Sequence, residues 1–193
     1  MVRYPAAETA EKHENILNEA SRLFREHGLS GVSVGGLMKA ADLTHGSFYN
    51  HFESKQALIG DCIDHVSTLA VGQIGTAKPT EAGKRSFVSK YLSLAARDDP
   101  GHACLMSSLG PELGREPTAK PAMTRYMQTF ISKLVSHFPW PRPKDARGDA
   151  IRMTTSLVGA LVLARAVDDE ALSREILREV IKQFAKSSER GSE

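Results

Sequence analysis

The chain has 193 residues, of which 41% are hydrophobic and 25% charged, and its mean hydropathy is −0.28. This composition is typical of a globular protein with one core of moderate size or two small ones, and no apolar run reaches the roughly 18 residues of a membrane span. The N-terminus lacks the hydrophobic stretch of a signal peptide, and two cysteines, Cys62 and Cys104, are too few for a disulfide framework or a zinc cluster. The sequence therefore predicts a cytoplasmic protein with free thiols, no metal and no cofactor.

The net charge of +2 is unevenly distributed. Residues 1–70 contain 6 Lys and Arg against 9 Asp and Glu, and they hold five of the seven histidines. A nucleic-acid site in this part of the chain would therefore have to be a local patch, because the bulk charge is mildly unfavourable.

Helical periodicity dominates the first sixty residues. A first helix ends at His27–Gly28, a pair typical of a helix C-terminus. Ser33 is a good N-cap for a short second helix, and Thr44 is a candidate N-cap for a third that runs to His51. Ser54 caps a longer fourth helix.

Beyond a linker predicted at 76–83, the helical pattern resumes and no convincing alternating strand is found. The sequence predicts an all-α protein of about nine helices, the last five at about 84–97, 102–115, 118–138, 145–167 and 170–186.

Two short helices joined by a tight turn, after a longer helix, form the layout of a helix-turn-helix domain, in which the second short helix lies in the major groove of DNA. Phe48 and Phe52 are four residues apart and are predicted to face inward, which leaves polar side chains outward. Lys55, at the start of the next helix, can pair with a phosphate. The alternative is that the outward residues are the ordinary surface of a small helical bundle.

The segment from about residue 12 to 60 resembles the DNA-binding domain of the TetR family of bacterial repressors. The resemblance is carried by Phe24 with Gly28, by Ser33–Val34, by GSFYNHF at 46–52 and by Lys55. The rest of the chain is similar to the family only in its helical layout. Gly35–Gly36 departs from the family pattern, so we expect a weak second helix.

The resemblance implies a role for each matching position. Phosphate contacts are expected from Ser33, Thr44, Tyr49, His51 and Lys55. Base edges are expected to be contacted by His45, Ser47 and Asn50, and Gly46 permits close approach of the DNA. The expected organisation is a helix-turn-helix DNA-binding domain over 1–55 and a helical ligand-binding and dimerisation domain over 56–193.

The last two helices carry apolar stripes, and one helix-turn-helix domain contacts too few base pairs to act alone. They are predicted to form a homodimer interface that includes Leu157, Leu161, Leu172, Ile176, Leu177, Val180 and Phe184. The alternative is that these stripes pack within one subunit.

Large, adaptable side chains in the middle helices are candidates for the lining of an effector pocket. They are Met106, Met123, Tyr126, Met127, Phe130, Trp140 and Met153, with plain core packing as the alternative. No cluster of charge accompanies them, which favours a neutral or hydrophobic ligand.

Cys104 is a further candidate, as a redox or electrophile sensor near the start of a helix. Its segment is similar to a G-C-L…L…E stretch of TetR-family members, some of which sense electrophiles through that cysteine, although Ala103 replaces the glycine here. The alternative is a small buried hydrophobe, which is also the role expected of Cys62.

The predicted function is that of a ligand-responsive transcriptional regulator, a repressor, that binds a palindromic operator as a homodimer and is released by a small hydrophobic or electrophilic effector. Its expected partners are double-stranded DNA, a second copy of itself and the effector, without a membrane. An activator or a partner-binding, architectural DNA-binding protein of TetR fold is the alternative. An enzyme is not expected, because no catalytic constellation is apparent.

Overall fold

Helices form all the regular secondary structure over residues 6–186, the part of the chain that this computed structural model describes. Nine α-helices and three short 3₁₀-helices occur there, and none of these helices is both long and apolar enough to cross a membrane. The α-helices are α1 (Ala6–Gly31), α2 (Val34–Ala40), α3 (Lys55–Thr76), α4 (Glu81–Tyr91), α5 (Leu94–Asp98), α6 (Leu105–Arg115), α7 (Lys120–His137), α8 (Ala146–Ala166) and α9 (Glu170–Lys186). The 3₁₀-helices are His45–Asn50, Pro117–Ala119 and Pro143–Asp145. The all-α prediction is confirmed.

The first helix is interrupted where the sequence predicts its end. Gly28 has φ 77° and ψ 164°, which are not helical, and one further turn then continues to Gly31. A positive φ of this kind suits glycine, because it has no Cβ. The interruption therefore follows directly from the residue at position 28.

The predicted N-caps of the second and fourth helices are confirmed. The Ser33 hydroxyl accepts a hydrogen bond from the Gly36 N–H, and the Ser54 hydroxyl accepts one from the Ala57 N–H, both at 3.1 Å. Each serine satisfies an N–H that the first turn of the helix leaves without a partner. Despite its two glycines, α2 is formed over all seven of its residues.

The third short helix differs from its prediction. His45–Asn50, which we call the recognition segment, is a 3₁₀-helix, and Thr44 makes no capping hydrogen bond through its side chain. The segment holds only six residues between the turn after α2 and the bend before α3. Such short connecting elements commonly adopt the tighter 3₁₀ winding.

The helix predicted at 84–97 is two helices, α4 and α5. A new helix starts at Ser93, whose hydroxyl accepts from the Ala96 N–H at 3.1 Å. The predicted linker is also shorter than expected, because Thr80 caps α4 and only four residues separate α3 from it. A Cβ at Gly83 would lie 1.9 Å from the Lys78 carbonyl oxygen, so this close approach requires glycine.

One continuous core joins the N-terminal helices to the rest of the chain. Helix α1 packs against α3 and α6, α7 packs along α3, and α8 packs between α7 and α9. Helix α1 is thus held directly by α6 as well as by α3.

Candidate DNA-binding surface and effector region

The recognition segment is anchored by two aromatic side chains. Phe48 is 1% exposed and Phe52 is 4% exposed, and their ring centroids are 5.6 Å apart. The inward orientation predicted for both is confirmed. With these rings fixed in the core, the neighbouring side chain of Tyr49 is held outward and is 66% exposed.

The other polar residues of the segment lie on the same exposed surface. Thr44, His45, Gly46 and Asn50 are exposed. Ser47 is half-buried, and its hydroxyl donates to the Thr44 carbonyl at 2.7 Å. Within residues 6–186, a Cβ at Gly46 would have no neighbour within 4 Å, so the backbone there is open to close approach by a large partner.

Ser33 and His51 lie at the margins of this surface. Ser33 is exposed and, while its oxygen caps α2, its hydroxyl proton remains available to a phosphate. The His51 ring is half-buried, with its centroid 5.8 Å from that of His13 in α1. Burial lowers the pKa of His51 below its usual value, and the charges of His13 and Lys12 lower it further.

Lys55 makes a contact that the sequence does not indicate. Its ammonium donates to the Leu29 carbonyl at 2.5 Å and lies 5.7 Å from the centroid of the Phe24 ring. The side chain is half-buried and turned towards the end of α1. Lys55 therefore has a structural role in addition to the phosphate contact that the sequence predicts for it.

Residues 16–62 match the family model for "Bacterial regulatory proteins, tetR family". Over these residues, the N-terminal part of this chain is similar to the TetR family. The matched residues run from the middle of α1 into α3 and include the whole recognition segment.

Three similar proteins are in keeping with this. The HTH-type transcriptional repressor DhaR of Mycobacterium sp. (strain GP1) is 27% identical over 118 residues, which are 61% of this chain and 59% of DhaR. The HTH-type transcriptional regulator AcrR of Shigella flexneri is 36% identical over 74 residues, 38% of this chain and 34% of AcrR. The chain thus spans less than two thirds of the length of either relative. The reduced form of E. coli NemR shares the fold with a TM-score of 0.74, at 18% identity over 90% of this chain and 95% of NemR.

The C-terminal part of the chain contains an open groove of about 440 Å³ between α6, α7 and the start of α8. Of the predicted pocket residues, Met123 and Met127 line it. Its other lining residues, which the sequence reasoning missed, are Gly110, Leu113, Gly114, Lys120, Thr124, Gln128, Ile131 and Arg147. The two cations depart from the neutral lining expected from the sequence.

The remaining predicted pocket residues lie elsewhere. Met106, Tyr126, Phe130 and Met153 are buried core side chains, which is the alternative that the sequence left open. Trp140 lies under the buried Lys84, whose ammonium is 4.7 Å from the centre of the indole ring. It packs on this lysine and is not among the residues that line the groove, so its role in a pocket stays a prediction.

Cys104 is half-buried at the N-cap position of α6, with an unusual polar surrounding. Arg25 of α1 donates to the carbonyl of the preceding residue, Ala103, at 3.1 Å. The hydroxyl of Tyr91 is buried and has no hydrogen-bond partner among the residues that the structure describes. Burial raises the pKa of this tyrosine, and the neighbouring Cys104 raises it further. Arg25 and Arg165 both interact electrostatically with the thiol.

The two cysteines are placed differently. Cys62 is buried in α3, and burial raises the pKa of its thiol to about 12. A thiol this basic is protonated at neutral pH and is a poor nucleophile. The inert packing role predicted for Cys62 fits this environment.

The predicted dimer residues divide into two groups. Leu157, Leu161 and Leu177 are at most 3% exposed within one chain, so they are core residues, and their prediction as partner contacts was wrong. Helical periodicity identified an apolar face but could not tell which side meets the core. Leu172 is exposed on α9, and the half-buried residues of the same stripe are Ile176, Val180 and Phe184. The sequence reasoning missed Ile151 and Leu163, two exposed apolar residues of α8, where Val162 is exposed as well.

Proposed function

We propose that this protein is a ligand-responsive transcriptional repressor that binds a palindromic operator as a homodimer. It acts in the cytoplasm by binding rather than by catalysis. A small hydrophobic or electrophilic effector releases it from DNA. The observation that carries the proposal is the recognition segment, which exposes Tyr49 and its polar neighbours on a domain of the TetR family.

The chemistry of this surface suits a DNA backbone. Tyr49 and Thr44 offer hydroxyl donors to phosphate oxygens, and His45 and Asn50 can read base edges. Gly46 leaves room for the approach. The surface carries little positive charge, so hydrogen bonding and shape contribute a large share of the binding.

Dimerisation is supported by the outward faces of α8 and α9. Leu163 is 57% exposed and Leu172 is 42% exposed, although both are large apolar side chains. Covering them with the same faces of a second copy would produce a two-fold interface, as a palindromic operator needs.

An effector has two candidate places, the groove and Cys104. The groove pairs adaptable methionines with a volume that suits a small organic molecule. Cys104 is half-buried at the N-cap position of α6, and Arg25 of α1 donates to the carbonyl of the residue before it. Both places lie on α6.

Selection of bound duplexes from a random-sequence pool tests the DNA-binding proposal, and we expect a palindrome. Tyr49→Ala should then weaken binding to all duplexes by roughly tenfold, since it removes a phosphate contact from each subunit. His45→Ala should change the preferred sequence instead. Leu69→Ala is the matched control, because it also removes a large exposed side chain, but from α3. This variant should bind normally. Unimpaired binding by the Tyr49→Ala/His45→Ala double variant would place the DNA contact elsewhere.

Release by an electrophilic effector is tested by adding N-ethylmaleimide to the complex of the protein with the selected duplex. Release is expected for wild type and for Cys62→Ser, and it should be lost in Cys104→Ser. Equal release of wild type and Cys104→Ser would reject Cys104 as the sensor and leave the groove as the effector site.

A further inference from the structure

The backbone around Leu29 is tied to two other parts of the fold. Its N–H donates to the Glu112 carboxylate of α6, with a distance of 2.7 Å between nitrogen and Oε2. Its carbonyl accepts from the ammonium of Lys55, the first residue of α3. The Glu112 carboxylate thus binds the N–H of Leu29, and the Lys55 ammonium binds the carbonyl of the same residue.

Gly28 makes the first of these ties possible. Its non-helical dihedral angles interrupt α1 directly before Leu29. A Cβ at this position would lie 2.9 Å from Glu112 Oε1, so the absence of a side chain also admits the carboxylate. Hydrogen bonds to a charged group are stronger than those between neutral groups, which makes this a firm attachment.

A second set of contacts runs along the same seam between α1 and α6. Arg25 donates to the Ala103 carbonyl just before α6 begins. A Cβ at Gly101 would lie 2.3 Å from Glu26 Oε1, so the turn that leads into α6 lies closely against α1. The start of α6 and its last turns are therefore both attached to the C-terminal part of α1.

We infer that Glu112 is the positioning residue through which α6 controls the recognition segment, by way of Leu29 and Lys55. Lys55 begins α3 only five residues after Asn50, so a displacement of Leu29 acts directly on the base of the recognition segment. Gly110, Leu113 and Gly114 of the groove flank Glu112 on the same helix. The regulatory meaning of this connection rests on the proposed function, since occupancy of the groove or modification of Cys104 would move α6.

Amide hydrogen exchange on the full chain, without DNA or effector, tests the connection. In Glu112→Ala, exchange should rise about tenfold or more over residues 29–32, the change expected when a hydrogen bond to a charged group is lost. The rise should extend over residues 33–52. Glu112→Gln keeps an acceptor oxygen and should exchange nearly as wild type does.

Glu116→Ala is the matched control, because Glu116 also carries a carboxylate and lies at the end of the same helix. Within the described residues, this carboxylate accepts a hydrogen bond only from the Thr118 hydroxyl. The variant should leave exchange over 29–52 unchanged. Coupling is reciprocal, so Lys55→Met should raise exchange within α6, over residues 105–113.

Faster exchange confined to residues 29–32 in Glu112→Ala, or an unchanged α6 in Lys55→Met, would overturn the inference and make the contact a local one. These outcomes are independent of the DNA-binding proposal. A protein that binds no operator but shows the full exchange pattern would refute the proposed function and retain the connection.

Discussion

At the scale of single residues, His51 combines a predicted phosphate contact with a partly buried environment. Its ring lies beside His13 and near Phe52, with centroids 5.8 Å and 6.2 Å away respectively. Burial lowers its pKa below the usual value near 6.5, so the ring is neutral at pH 7. The neutral ring is favoured by the folded protein, whereas a phosphate would favour the protonated ring.

From the environment of His51 we therefore expect opposite effects of pH on DNA binding and on stability. Operator affinity should rise as the pH falls from about 7.5 to about 6, because each subunit takes up a proton on binding. Stability without DNA should fall as the pH drops through about 6.5 and below, because the unfolded chain binds the proton more readily. Binding isotherms and thermal unfolding across this pH range measure the two effects.

Two glutamine variants compare His51 with His65, a second histidine of lowered pKa. His51→Gln should flatten the pH dependence of affinity. His65→Gln should not, although burial lowers the pKa of His65 too, because that ring lies in α3 and pairs with Asn18 of α1 at 2.8 Å. A pH dependence that survives in His51→Gln would show that His51 does not contact phosphate.

Local residue roles could be predicted from the sequence, whereas long-range ones could not. The spacing of Phe48 and Phe52 fixes their inward direction and therefore the outward direction of Tyr49. The contact between Leu29 and Glu112 joins residues 83 positions apart, and no local pattern reports it. A lysine at the start of a helix also gives no sign that it will turn back to Leu29, as Lys55 does.

At the scale of elements, the turn of the helix-turn-helix unit has a defined geometry. Asp42 has φ 60°, its N–H donates to the Lys39 carbonyl, and the Leu43 N–H donates to the Met38 carbonyl at 2.8 Å. These two hydrogen bonds form a Schellman motif, which satisfies carbonyls at the end of α2 and reverses the chain. Aspartate tolerates this left-handed conformation better than most residues, so the short turn needs no glycine.

Capping residues made some element boundaries predictable, and tertiary contacts fixed others. Ser33 and Ser54 mark helix starts by their own hydrogen bonds. The end of α5 depends on a distant residue, since Arg165 of α8 donates to the Ala96 and Arg97 carbonyls at 2.7 and 3.0 Å. The break between α4 and α5 lies earlier, at Ser93, and periodicity alone runs through it, which is why one helix was predicted over 84–97.

At the scale of the whole molecule, α8 separates two apolar surfaces. Leu161 is fully buried against the core, while Leu163, two positions later, is 57% exposed. One apolar side of such a helix packs on the core of its own chain, and the other side is left for a partner to cover. Leu172 of α9, the helix that packs against α8, is exposed as well.

Glutamate at each of these two leucines should disrupt the proposed homodimer in a different way. Leu163→Glu should leave each subunit folded, with a near-normal circular dichroism spectrum, but should shift the protein to monomer and abolish operator binding. Leu161→Glu should instead unfold the subunit, because an unpaired charge in the core costs several kcal/mol, of order the whole stability of a small domain. Sedimentation velocity and thermal unfolding of both variants separate the two outcomes. Leu69→Glu places the same charge at an exposed leucine of α3 and should remain dimeric. A Leu163→Glu protein that sediments as wild type does would move the interface away from the outer face of α8.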